Sequence, residues 1–205
     1  MSPAPRASLA ILLHGVGASG RDLAPLADAL ERYLPGTQFA TPDAPHAFDE
    51  GPGRQWFSVA GVSAQNRPQR VAAARAEFDR VVNAELDRFG LSGEPERVAL
   101  IGFSQGAIMA LDALATGRWP VAAVVAFSGR LATPAPLQPP AGARALLVHG
   151  ADDSVIPAEE TRQAAARLAQ AGVAVESRLL PGLGHTISLE GVALAGAFVA
   201  GRPLS

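Results

Sequence analysis

The feature that most limits how this chain can fold is a pentapeptide, Gly102-Phe103-Ser104-Gln105-Gly106, set between two apolar runs of different kinds. Ahead of it, Arg97-Val98-Ala99-Leu100-Ile101 reads as a buried strand; behind it, Ala107-Ile108-Met109-Ala110-Leu111 reads as a helix. A strand that turns so sharply into a helix must have that helix packed back across its own sheet. Glycines two residues to either side of the serine remove the Cβ atoms that would collide where strand and helix cross. In that setting G-x-S-x-G forms a nucleophile elbow, a strained turn that lifts the Ser104 hydroxyl clear of the sheet. Chains rich in glycine and serine match the pentapeptide by chance, so its meaning depends on what the other strand ends carry.

The rest of the chain supplies such strands. Residues 8–13 form an apolar run that ends in Gly15-Val16-Gly17-Ala18-Ser19-Gly20, as a strand buried on both faces does. Leu23, Leu26, Ala27, Leu30 and Leu34 then recur at helical spacing up to Pro35-Gly36, and residues 38–41 make a short strand. From His46 to about Arg67 no period is sustained, which predicts a long surface loop and a candidate substrate-contacting segment. Val71, Ala74, Phe78, Val82, Leu86 and Phe89 mark a long amphipathic helix leading to the elbow strand. Beyond the elbow, strands are predicted at 121–127, 144–148 and 173–180, with a helix from Pro157 to Gly172 and a last helix carrying Ile187, Leu194, Ala195 and Phe198. Strands alternating with helices predict one α/β domain over residues 1–205: a mostly parallel sheet of about six strands, helices on both faces, and ligands at the carboxyl ends of the strands.

Composition excludes several functions. The chain is 48% hydrophobic and 18% charged, an ordinary globule, with no apolar run near the ~20 residues that cross a bilayer. A net charge of −2 without a basic cluster gives no footing for nucleic acid or an anionic membrane surface. All 17 basic residues are arginine, so Schiff-base and P-loop lysines are ruled out; with no cysteine, so are disulfides, thiol nucleophiles and cysteine metal sites. Leu9-Ala10-Ile11-Leu12-Leu13 is too short for a signal core, and a cytoplasmic location is expected.

A serine hydroxyl needs a base, a group to orient that base, and donors for the oxyanion. On an elbow fold the acid follows a later strand and the histidine follows the last one. His185 stands in the Gly-flanked loop Pro181-Gly182-Leu183-Gly184-His185-Thr186, after the last predicted strand, and is the expected base. The acid falls in Asp152-Asp153, and spacing alone does not choose between the two. His14 and His149 each precede a glycine at a strand end, where structural roles are expected, and His46 is expected on the loop surface. The backbone N–H of Gln105 and that of Val16, after the first strand, are the expected oxyanion donors. Phe48, Trp56 and Phe57 on one side, with Leu131 and Leu137 on the other, are expected to line the acyl groove. Asp152, Asp153, Glu159 and Glu160 read as a loop and a charged first helical turn, so no metal site is expected.

Taken together, Leu13-His14-Gly15-Val16-Gly17-Ala18-Ser19-Gly20 with Asp22-Leu23, the Pro42-Asp43-Ala44-Pro45 turn, G-F-S-Q-G at 102–106, His149-Gly150 through Pro157, and Gly184-His185 resemble the carboxylesterase/phospholipase family that includes acyl-protein thioesterases. The resemblance implies an α/β-hydrolase fold without a separate cap domain. It implies Ser104 as nucleophile, Asp153 as acid and His185 as base, and hydrolysis of carboxylic esters, thioesters or lysophospholipids without a cofactor. The expected partner is a small-molecule acyl ester or thioester; a homodimer is left open. Residues 46–67 depart from the family pattern, reading Gly53-Arg54-Gln55-Trp56-Phe57. Two rivals remain. A non-catalytic binding module could use the same fold, and Gly15-x-Gly17-x-x-Gly20 with Asp43 formally matches a dinucleotide fingerprint of an oxidoreductase.

Overall fold

The computed structural model describes residues 7–204. In chain order the strands are β1 (Leu9–Leu13), β2 (Gln38–Ala40), β3 (His46–Ala47), β4 (Arg54–Gln55), β5 (Val98–Phe103), β6 (Ala123–Phe127), β7 (Arg144–Gly150) and β8 (Ala174–Leu180). The helices are α1 (Ala24–Glu31), α2 (Arg67–Arg88), α3 (Gln105–Ala115), α4 (Glu159–Gln170) and α5 (Leu189–Val199). Six strands form one sheet in the order β2-β1-β5-β6-β7-β8, with every neighbouring pair parallel. The elbow strand therefore lies inside the sheet, and its apolar sequence follows from burial on both faces.

Alternate residues of each strand feed two cores. Leu9, Ile11, Leu13, Val98 and Leu100 pack with α2, α3 and α4, whereas Ala10, Leu12, Ala99 and Ile101 pack with α1 and α5. Helix α3 is buried along its whole length, between the sheet and α2. Its one carboxylate, Asp112, receives Arg75 and Arg118 at 2.9 Å and the Thr133 hydroxyl at 2.7 Å. Among the described residues no helix is long and apolar enough to cross a membrane.

Two stretches differ from the sequence expectation. Before α1 the chain makes a 3-10 turn, Gly20–Leu23, because Asp22 reaches back to the Ser19 N–H at 2.7 Å and closes a capping box. The 46–67 stretch is not all loop: β3 and β4 form a small antiparallel ladder. Arg54 continues that ladder onto the loop after β1, giving its carbonyl to Gly17 N–H at 2.9 Å and donating its own N–H to Ala18 O at 2.8 Å.

Candidate active site

Ser104 sits between β5 and α3 at φ 52°, ψ −114°, a conformation that costs an L-residue roughly 1–3 kcal/mol and persists only where the surroundings enforce it. The surroundings here are close. A Cβ on Gly106 would stand 2.1 Å from Leu13 O, and one on Gly102 would stand 2.5 Å from Ala107 N, so neither position accepts a side chain. The Ser104 N–H is tied to Phe127 O of β6 at 2.9 Å.

The loops after β7 and β8 bring an acid and an imidazole to this hydroxyl. His185 Nε2 lies 3.0 Å from Ser104 Oγ, and His185 Nδ1 lies 2.7 Å from Asp153 Oδ2. The other oxygen, Asp153 Oδ1, accepts the N–H groups of Val155 at 2.8 Å and Ile156 at 2.9 Å. Burial alone would raise the pKa of Asp153; the bonds from His185, Ile156 and Val155 outweigh it and hold the carboxyl below its ordinary value. Asp152 is exposed and takes no part in this chain of bonds. The two loops are joined to each other: Ala151 N–H donates to Leu180 O at 2.9 Å, Asp152 N–H donates to Leu183 O at 3.0 Å, and Gly150 has no room for a Cβ against Leu183 and Gly184.

On the other side of Ser104 lies the loop after β1. Gly17 N–H goes to Arg54 O and Ala18 N–H to Gly15 O, while Val16 N–H has no acceptor among the described residues. Gln105 N–H opens α3, where the first turn has no intrahelical acceptors and the helix dipole is positive. The loop is held from below by His14, which is fully buried. The Ala44 N–H donates to His14 Nε2 at 2.9 Å, so the ring hydrogen is on Nδ1, 2.7 Å from Gly15 O. Burial lowers the His14 pKa despite the Gly15 bond and the nearby Asp43 and Asp22, which keeps the ring neutral. Asp43 accepts the Gly20 N–H at 2.7 Å. The third glycine of the formal dinucleotide fingerprint is thus bonded within the protein.

A family model described as phospholipase/carboxylesterase matches residues 2–201. The chain belongs to this family. Esterase YpfH of Escherichia coli (strain K12) is 32% identical over 183 residues, 89% of this chain and 78% of that one. Acyl-protein thioesterase 1 of Cryptococcus neoformans is 35% identical over 129 residues, 58% of this chain and 52% of the relative. The crystal structure of esterase PE8 superposes with a TM-score of 0.86 at 32% identity, covering 98% of this chain and 95% of that one. The protein is an ester-hydrolysing α/β-hydrolase.

In this esterase the residues expected to line an acyl groove are buried or half-buried, and Trp56 and Phe57 border a cavity of about 360 Å³ together with His46, Arg70 and Ala73. Trp56 and Phe57 are buried in the core, as is Leu131, and Leu137 is half-buried against it; Phe48 is half-buried beside Gly17. The cause is the Gln105 side chain, whose Oε1 accepts Trp56 N–H and whose Nε2 donates to Phe57 O, both at 2.7 Å. The Trp56 indole N–H donates to His14 O at 2.9 Å, so this part of the loop is drawn inward. Arg167 donates to Leu131 O at 3.1 Å and fixes the second loop in the same way.

A second open apolar space lies on the opposite face of the sheet. A cavity of about 470 Å³ is lined by Leu23, Leu26 and Ala29 from the α1 side, by Ile187 and Val192 from the α5 side, and by Phe103. It reaches Gly15 and Val16 of the loop beside Ser104 and Thr186 next to His185. Its floor, the Phe103 ring, packs against His185 with centroids 4.9 Å apart. Sequence reasoning missed these residues because they read as ordinary helix stripes. The usable signal was Ile187, two residues past His185 and ahead of the helix it was assigned to.

Proposed function

We propose that this esterase cleaves carboxylic esters or thioesters through an acyl-enzyme on Ser104, with His185 as base and Asp153 as the group that orients it. The observation that carries this reading is the unbroken chain Ser104 Oγ, His185 and Asp153, at 3.0 Å and 2.7 Å, hung on a strained elbow. His185 Nε2 takes the hydroxyl proton as Oγ bonds to the substrate carbonyl carbon. The tetrahedral oxyanion is met by the N–H groups of Val16 and Gln105. The carbon–oxygen or carbon–sulfur bond to the leaving group then breaks, and His185 returns the proton to the departing alkoxide or thiolate. Water repeats the sequence on the acyl-enzyme, releasing the carboxylic acid and Ser104. Asp153 remains a carboxylate and stabilises the imidazolium.

The hydrocarbon part of the ester lies in the pocket between α1 and α5, whose volume is in the range of small-molecule sites. That pocket favours apolar chains, including those of lysophospholipids, over polar acyl groups. The test is covalent labelling with a fluorophosphonate probe together with turnover of p-nitrophenyl and CoA thioesters of graded chain length. Ser104→Ala is expected to abolish labelling and lower turnover at least about 1,000-fold. Labelling or turnover that persists in Ser104→Ala overturns the reading.

A further inference from the structure

We propose that His149 is a positioning residue for Asp153, held in one tautomer by the Thr161 hydroxyl. The proposal rests on the catalytic reading of Ser104, His185 and Asp153 above. His149 is 1% exposed at the end of β7, and the mechanism as written gives it no part.

Both ring nitrogens are engaged. His149 Nε2 lies 2.8 Å from Ile156 O, and His149 Nδ1 lies 2.7 Å from Thr161 Oγ1 in α4. A carbonyl only accepts, so Nε2 carries a hydrogen, and at Nδ1 the Thr161 hydroxyl is placed to donate. The same Nε2 stands 3.2 Å from Asp153 Oδ2, with both side chains fully buried. Oδ2 is the oxygen that receives His185 Nδ1–H. Its sister Oδ1 is held by Ile156 N–H, and Ile156 is the residue whose carbonyl His149 grips. His149 therefore fixes Asp153 twice: it anchors the backbone that binds Oδ1, and it sets the positive edge of its N–H beside Oδ2. With both oxygens held, the carboxylate plane cannot rotate away from His185, and the imidazole keeps its Nε2 aimed at Ser104.

A residue that only filled space could be replaced by an apolar side chain without kinetic effect. His149→Leu removes the donor, His149→Gln can return an amide N–H to the place of Nε2, and Thr161→Val removes the hydroxyl that fixes the tautomer. We expect His149→Leu to lower kcat on p-nitrophenyl acetate at least about 10-fold, within the ~10²-fold that a misplaced catalytic group costs. KM should stay near the wild-type value. His149→Gln should recover most of the loss, and Thr161→Val should fall between. Urea midpoints measured alongside separate folding from catalysis; if His149→Leu does not fold, the comparison of His149→Gln and Thr161→Val with wild type carries the test. The decisive arm is Asp153→Asn, in which His149→Leu should slow fluorophosphonate labelling no further, because an effect exerted through Asp153 is not additive with its loss. An equal loss in both backgrounds, or Ser104-dependent turnover in His149→Leu within twofold of wild type, overturns the proposal alone. Turnover that survives Ser104→Ala overturns the catalytic reading and this proposal with it.

Discussion

Replacing Gln105 by leucine is expected to loosen the active-site loop while leaving the backbone N–H of residue 105 in place. The Gln105 side chain, 3% exposed, satisfies two buried main-chain groups, the N–H of Trp56 and the carbonyl of Phe57. Leucine fills similar space and bonds to neither. Each orphaned buried group costs about 1–3 kcal/mol, so the loss is about 2–6 kcal/mol, toward the lower end if water reaches them. Domains are typically stable by about 5–15 kcal/mol, so this is a large share of the total. With a urea m-value near ~3 kcal/mol/M, the unfolding midpoint should fall by roughly 0.7–2 M. Trp56 is 1% exposed and bonded through its indole to His14 O, so tryptophan emission should shift to the red before global unfolding. Turnover should drop as well, because the freed loop also supports the Val16 loop through the bonds of Arg54 to Gly17 and Ala18. A midpoint within about 0.3 M of wild type, with turnover unchanged, would show that the clamp contributes nothing and refute the reasoning.

Two further outcomes are expected. Ala29→Phe places a ring in the α1–α5 pocket and should raise KM for octanoyl esters by about 10-fold or more while acetyl esters change little, on the ~1–3 kcal/mol that each pocket methylene is worth; equal effects on both chain lengths would count against the pocket. His14 has a folded-state pKa lowered by burial, so its contribution to stability is complete above the unfolded value of about 6.5 and is lost as pH falls below it toward the depressed value. His14→Gln keeps an acceptor for Ala44 N–H and removes the titration, so the gap in urea midpoint between wild type and variant should move in the variant's favour from pH 7.5 to 5.5; parallel midpoints would contradict it.

Much of the architecture was legible because parallel strands buried on both faces read as short, unbroken apolar runs. Residues 9–13, 98–103 and 123–127 gave strands near the expected places for that reason. The β3–β4 ladder was not legible, since two residues carry no periodicity. Ser104 and His185 could be named from strand order, whereas Asp152 and Asp153 could not be told apart by spacing, because neighbours in a loop differ in direction and not in reach. The inward direction of Trp56 and Phe57 was not legible for a different reason. Whether an aromatic loop residue faces solvent or core was decided by the side chain of Gln105, which is 49 and 48 residues away in the chain.

The stitching of the β7 and β8 loops to each other divides the site into two mechanical units. Acid and imidazole ride on one unit, joined through Ala151, Asp152 and the bare Gly150. Ser104 rides on the other, joined to β6 through its own N–H. The 3.0 Å separation between Ser104 and His185 spans the two units, whereas the 2.7 Å contact with Asp153 lies within one of them. In the proposed reaction the former is the gap across which the imidazole turns from hydroxyl to leaving group. The separation that the proposed reaction cycle has to change is thus the one that joins two separately anchored parts of the scaffold.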